Sequence, residues 1–190
     1  MKKFAKKFLL VVALVAAAAS AQAQQPYKHS IGVSVGSLEG VSYKMFFTDQ
    51  LALHADLGFQ MLATRWGNKY FSNAEMSAWT FVANPNIVYQ DNITGWNWGG
   101  IGWFAGGGLS LGLAQFFGDE NVETFGGDIG YDNTWGKWGI NAIAGVELGL
   151  DDAPLAISLD FRPGYGMAFV ENGTVSFFDW AIAASVRYTF

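Results

Sequence analysis

The chain has 190 residues, of which 51% are hydrophobic, 16% aromatic and 14% charged, with a formal net charge of −5. So little charge beside so many aromatic residues is atypical of a soluble surface. The chain has no cysteine, which excludes a disulfide framework, a thiol nucleophile and a thiolate metal site.

Residues 1–23 have the pattern of a secretory signal peptide. Lysines precede the apolar run Phe8–Ala19, and Ala21-Gln22-Ala23 has the small-x-small form of a cleavage site. The run is too short for the alternative, a membrane anchor helix of about 20 residues. We expect residues 24–190 to form one mature domain with seven basic and sixteen acidic side chains, a formal charge of −9 that argues against nucleic acid as a partner.

Alternation with period two recurs along the mature chain and predicts eight strands, each with two different faces. The predicted strands are Tyr27–Val35, Val41–Phe47, Leu51–Thr64, Trp79–Tyr89, Gly100–Phe117, Trp138–Leu150, Leu155–Gly164 and Ser176–Phe190. In the last strand, every second residue from Phe190 back to Phe178 is apolar or aromatic. Its length suits a tilted strand that crosses a membrane. Pro85 weakens the fourth strand, because proline cannot donate to the ladder.

Three observations predict the architecture. The connections Thr48–Gln50 and Asp151–Pro154 are short, whereas Arg65–Ala78, Gly118–Lys137 and Gly166–Val175 are long and polar, which is typical of outer-membrane barrels. A soluble lipocalin-like barrel would instead place its apolar face inward. Seven glycines between positions 99 and 112 argue against a membrane helix there. We therefore predict an all-β fold, an eight-stranded antiparallel up-and-down transmembrane β-barrel.

The signal peptide, the eight two-faced segments and the terminal Tyr188-Thr189-Phe190 resemble the small outer-membrane β-barrel family of Gram-negative bacteria, of the OmpA/OmpX/OmpW kind. The resemblance implies an outer-membrane location, contact with outer-membrane lipid and lipopolysaccharide, and a monomer. In that family a C-terminal Phe preceded by apolar residues at alternate positions is read by the barrel-assembly machinery. Val186, Tyr188 and Phe190 fit that signal.

Charged and polar residues on the predicted inward face lie at similar distances from the short turns. They are Lys44, His54, Asp56, Glu147, Asp160, Arg162 and Arg187. Because buried charges are tolerable only when paired, we expect an ion-pair network that plugs the lower half of the barrel. A proton or ion path through the same groups is the functional alternative.

A second inward set is apolar or glycine, and we expect it in the upper interior. It comprises Phe46, Leu62, Val82, Phe104, Gly106, Gly108, Phe116 and Ile143. One interpretation is apolar packing across a glycine-lined wall. The other, suggested by OmpW-like barrels, is a narrow passage for small hydrophobic compounds, which bulky residues at Gly106 and Gly108 would block.

Catalysis has little support in the sequence. A lipid-modifying barrel would need a histidine with a serine or acid beside it. His54 lies two positions from Asp56 on one face, but no serine is obviously placed beside it, so we interpret it as structural.

No phosphate-binding, EF-hand or other cofactor pattern occurs, and we expect no cofactor and no metal. The acidic residues of Gly118–Lys137 form a solvated face or bind divalent ions that bridge lipopolysaccharide. The sequence thus favours a non-enzymatic protein with a structural or surface-interaction role, and a narrow porin-like channel is the alternative.

Overall fold

The protein is described by a computed structural model that covers residues 27–63, 77–93, 100–117, 123–124, 127–128, 134–150, 153–170 and 173–190. The expected signal peptide and most of the loop Gly118–Lys137 lie outside these residues. The side chains of Leu62 and Phe116, although their backbones belong to strands, also lie outside the described part.

Eight long strands close into an antiparallel barrel, as the sequence predicts. With the two short strands β6 and β7, which lie outside the barrel, the described strands are β1 (His29–Gly36), β2 (Leu38–Phe46), β3 (Leu51–Ala63), β4 (Ser77–Ile93), β5 (Gly100–Phe117), β6 (Glu123–Thr124), β7 (Gly127–Asp128), β8 (Thr134–Gly149), β9 (Leu155–Val170) and β10 (Gly173–Thr189). The ring order β1-β10-β9-β8-β5-β4-β3-β2 follows the chain, and β6 pairs with β7 as a separate hairpin. The predicted fold class is therefore confirmed.

No helix among the described residues is long and apolar enough to span a membrane.

The two termini of the described chain meet at one end, which we call the lower end. The backbone N–H of His29 donates to the carbonyl of Phe190 at 2.9 Å, and the N–H of Phe190 donates back at 2.8 Å. From there β1 and β10 pair as far as Gly36 and Ala183, which closes the barrel. The strand ends Phe46, Leu51, Ile93, Gly100, Gly149 and Leu155 share this end, because the strands alternate in direction.

The strands differ in length more than the sequence suggests. β1 and β2 have 8 and 9 residues, whereas β9 and β10 have 16 and 17. The predicted long loop Gly166–Val175 is wrong, because β9 continues to Val170 and β10 begins at Gly173. In the upper part of β9 the outward Tyr165, Met167 and Phe169 still alternate with Gly166 and Ala168, but the inward residues are small and not polar.

Two prolines interrupt the ladder, each on one side only. Pro85 pairs with Ala55 of β3, but the β4–β5 register has no partners for Asn84 and Pro85. Pro163 pairs with Trp180 of β10, but the β8–β9 register has no partners for Arg162 and Pro163. Proline lacks the N–H that the ladder needs, and here each interruption faces the hairpin formed by β5 and β8.

The two faces of the wall are chemically opposite. Large apolar side chains on the outside are open to the surroundings, for example Val33 at 57% and Ile140 at 60% exposure. On the inside, Lys44 and Arg187 have no exposed surface. In the described barrel strands the only outward Asp, Glu, Lys or Arg residues are Glu39 beside the upper turn and Asp91 near the lower end.

Candidate functional site: the barrel interior

The carboxylate of Glu147 is the centre of a buried cluster in the lower half of the interior. Lys44 Nζ lies 3.0 Å from Glu147 Oε2, and Arg187 Nη2 donates to the same oxygen. Gln90 Nε2 and the hydroxyl of Tyr27 donate to Oε1 at 2.9 and 2.5 Å. Glu147 of β8 thus accepts from four donors, on β2, β10, β4 and the residues before β1. We call Glu147 and these four donors the lower charged cluster.

Arg187 connects this cluster to the polar wall around it. Its Nη1 lies 3.1 Å from Ser42 Oγ and 3.3 Å from His54 Nε2, and its Nη2 donates to Ser158 Oγ at 3.0 Å. These partners come from three strands, because a guanidinium presents several donors in a fixed planar fork.

A second buried cluster is built on Arg162. Its Nε and Nη2 donate to the two oxygens of Asp160 at 2.5 and 3.1 Å, and its Nη1 donates to Asp56 Oδ2 at 2.6 Å. His54 Nε2 lies 3.4 Å from the same Asp56 oxygen and so stands between the two clusters.

The structure therefore brings all seven proposed network residues together. The lower charged cluster carries two cations and one anion, whereas the Arg162 cluster carries one cation and two anions. Neither cluster is neutral alone, but together they are balanced. A balanced, hydrogen-bonded set is the arrangement in which burying charge costs least.

The apolar residues do not lie where the sequence prediction placed them. Phe46, Phe104 and Ile143 belong to the lower half, in one cluster with Ala52 and Val88. The prediction of an upper apolar interior is wrong for these three, since Phe46 ends β2 beside the lower turn and stands opposite Ala52. The Lys44 ammonium lies 4.4 Å from the centre of the Phe104 ring, so apolar and charged residues pack against each other.

A separate upper apolar cluster contains Val82 with Leu38, Ala181 and Ala183. Polar residues lie between the two clusters on each strand that contributes to both. On β2 these are Ser42 and Lys44, and on β4 they are Asn84 and Asn86. The described apolar residues therefore form no continuous path along the interior.

Gly106 and Gly108 have the inward parity of β5, and both lie close to the backbone of β4. A Cβ atom added at either position would lie 2.0 Å from a backbone oxygen of β4, that of Ile87 or Pro85. A bulky residue there would displace the wall, so these glycines serve the close approach of β4 and β5. The prediction that bulky residues at Gly106 and Gly108 would block a passage is therefore wrong, because such residues would distort the barrel wall.

Higher in the barrel is a small, open cavity with room for about one water molecule. It is lined by Gln60, Asn84, Ser110, Lys137, Asn141, Arg162 and Asp179, among others. Lys137 Nζ and Gln60 Nε2 donate to the two oxygens of Asp179 at 2.5 and 2.7 Å. The predicted ion-pair network left out Lys137, Asp179, Gln60 and Gln90, although each has the inward parity of its strand. The prediction that the loop Gly118–Lys137 extends to Lys137 is wrong, because β8 begins at Thr134.

The sequence predicts Tyr27 as the first residue of strand 1, but this boundary is wrong, because the ladder begins at His29. Its ring packs edge-on against Phe46 with 5.4 Å between ring centroids. Burial, with the neighbouring Glu147 carboxylate, raises the pKa of the Tyr27 phenol well above its usual range. The hydroxyl therefore stays protonated and remains a donor to Glu147.

A serine does lie beside His54, contrary to the sequence analysis. Ser42 Oγ is 3.3 Å from His54 Nε2, but Asp56 and Arg187 contact that same nitrogen. A Ser-His-Asp triad uses the two ring nitrogens for different partners, and Ser42 and His54 have no exposed surface. Among the described residues, no group of three or more His, Asp or Glu side chains is placed to hold a metal ion.

The fold and interior define a class of protein: a closed, eight-stranded up-and-down β-barrel with an apolar exterior and a paired, polar interior. Two solved structures are similar in fold. Neisserial surface protein A (NspA) is 15% identical with a TM-score of 0.47, and the match covers 85% of this chain and 93% of that one. Ail, the attachment invasion locus protein of Yersinia pestis, is 12% identical with a TM-score of 0.37, covering 84% and 93%. No protein-family model and no curated protein sequence matches the chain.

Proposed function

We propose that the protein is an integral outer-membrane β-barrel with a structural or surface-interaction role and a closed lumen. The observation that carries the proposal is the uncharged, apolar outer belt. Exposed Leu, Ile, Val and aromatic side chains occur on all eight long strands, far beyond the patch that a soluble monomer exposes. A lipid bilayer is the medium that such a belt fits.

The order of the belt supports the same proposal. Aromatic side chains lie toward its ends, for example Trp103 beside Tyr89 below and Phe59 beside Phe81 above. Aliphatic residues such as Leu159 and Val146 lie between them. Aromatic girdles at the two interfaces with an aliphatic middle are the usual arrangement in membrane barrels.

Two features support a closed lumen rather than a porin-like channel. The two charged clusters fill the interior with mutually paired side chains, and Lys44, His54 and Arg187 have no exposed surface. The apolar residues are divided by polar ones, which disfavours a passage for hydrophobic compounds. Nothing among the described contacts favours the channel, so the closed barrel is the better-supported proposal.

Conductance of the refolded barrel in a planar lipid bilayer tests this function. We expect no unitary steps from protein whose folding is shown by heat-modifiable gel mobility. Steady steps from such protein would contradict the closed lumen and favour the channel. Failure of the refolded protein to insert into lipid vesicles would instead contradict the membrane barrel itself.

We also propose that the barrel is not an enzyme. The Ser42, His54 and Asp56 contacts support a packing role, because they converge on one nitrogen and are buried. In a strain carrying His54→Ala, with the barrel still present in the membrane, we expect unchanged lipid composition. A lipid A modification that disappears in this strain would contradict the proposal.

A further inference from the structure

Tyr27 occupies the lower mouth of the barrel without belonging to its wall. It has no partner in the β1–β2 or β1–β10 register, which begin at His29 and Ser30. The backbone attachment next to it is a single bond from Phe46 N–H to the carbonyl of Lys28 at 3.0 Å. The ladder does not depend on this residue, so its position is set by its side chain.

The side chain of Tyr27 crosses the mouth. The residue enters at β1, whereas its hydroxyl reaches Glu147 on β8, and β10 and β9 lie between these strands in the ring. The ring also contacts Phe46 on β2, on the other side of β1. One side chain thus joins the apolar and the charged residues of the lower interior across that sector.

The residues behind Tyr27 are buried even though they lie close to the lower end. Ser30 follows Tyr27 by three positions, faces inward and has no exposed surface. Arg187 and Ala156 lie in the sector that Tyr27 crosses, and neither has exposed surface. Something must exclude solvent from them at this end, and Tyr27 is in position to do so.

We propose that Tyr27 is a side-chain stopper, which closes the lower mouth and controls access to the other four residues of the lower charged cluster from the end where the termini lie. The bond to Glu147 and the packing on Phe46 hold it in place. Neither is part of the barrel ladder, so the stopper can be withdrawn without opening the wall. The proposal rests on the closed lumen proposed above but concerns the lower mouth alone.

Single cysteines test the stopper, because the chain has none of its own. Ser30→Cys reports on the lower mouth, and Ser34→Cys is a matched control two inward positions higher on β1, with 0% and 2% exposure of the native serines. Each is combined with native Tyr27, Tyr27→Phe or Tyr27→Ala in the refolded barrel. The rate of labelling by a small, charged, water-soluble thiol reagent is then measured.

We expect Tyr27→Ala to accelerate labelling at position 30 by at least tenfold and to leave position 34 within about twofold. Tyr27→Phe keeps the ring on Phe46 and should accelerate labelling less than Tyr27→Ala does. Equal rates at position 30 in all three backgrounds would overturn the proposal. A parallel rise at both positions would also overturn it, because it would indicate general loosening. Conductance, which depends on the charged clusters as well, reports separately on the closed lumen.

Discussion

The contacts of individual residues show why the interior tolerates so many charges. Arg187 touches Glu147, Ser42, His54 and Ser158, and it has no exposed surface. Removing one member of a buried pair leaves the other without compensation, which is far costlier than replacing the whole pair. The two clusters therefore depend on each other, since their charges balance only together.

We predict that Arg187→Met destabilises the folded barrel by about 3–5 kcal/mol, because Glu147 keeps its charge and loses a cation. Urea unfolding of the refolded barrel in lipid vesicles measures the effect. Glu39→Gln is the control, because Glu39 is exposed and faces outward, so its effect should stay within about 0.5 kcal/mol. Increased stability of the Arg187→Met barrel would contradict the ion-pair network.

Period two was enough to assign the inward or outward direction of these residues, because direction alternates with every residue of a strand. The level at which each inward residue lies along the barrel axis was harder to predict. Phe104 and Ile143 pack with Phe46 because strand tilt and stagger bring different strand positions to one level. Neither tilt nor stagger appears in the alternation of a single segment. The role of Tyr27 escaped prediction for a simpler reason, since the sequence assigned it to the first strand, whereas the ladder begins at His29.

At the scale of strands, the two prolines create the main irregularity of the described wall. The unpaired positions of β4 and β5 include Asn84 and Ser110, and those of β8 and β9 include Arg162. All three residues also line the upper cavity. The interruptions and the cavity therefore occur together, on both sides of the hairpin formed by β5 and β8.

Of the backbone amides at Leu109 and Ser110 of β5, and at Ala142 and Ile143 of β8, we predict that those pointing toward the breaks exchange faster than mid-strand amides elsewhere. These positions stand opposite the breaks, and local exchange follows local loss of ladder bonds. Hydrogen–deuterium exchange of the refolded barrel measures this. Leu53–Leu57 of β3, paired on both sides, is the reference. Equal protection in all these segments would contradict a broken ladder.

The C-terminal strand carries the proposed assembly signal, Val186, Tyr188 and Phe190, whose side chains are exposed at the lower part of the belt. We predict that Phe190→Ala lowers the amount of folded barrel in the outer membrane of cells but leaves refolding of the purified protein in detergent unchanged. Phe178→Ala, on the same outward face at the upper end, is the control. An equal loss of refolding in detergent would mean that Phe190 acts through stability and not through assembly.

The shape of the whole molecule was the most predictable feature, since eight alternating segments joined by turns can close in few ways. The upper ends of β9 and β10 were less so. The glycines and polar residues near Glu171 favour a loop in the sequence, although Tyr165, Met167 and Phe169 keep the outward alternation of β9. A bilayer surrounds the barrel with different media at different heights, so equally exposed residues of one strand face different media.

We therefore predict that the cost of an outward lysine substitution depends on its height along the barrel axis and not on the exposure of the residue it replaces. Leu159 and Phe169 both face outward from β9 with 53% exposure, but Leu159 lies in the middle of the belt and Phe169 near the upper end. In a bilayer, Leu159→Lys should cost about 2–4 kcal/mol and Phe169→Lys about 0–1 kcal/mol. Unfolding of both variants in lipid vesicles measures the difference. In a soluble barrel both lysines would reach water and cost about the same, so equal effects would contradict the membrane belt itself.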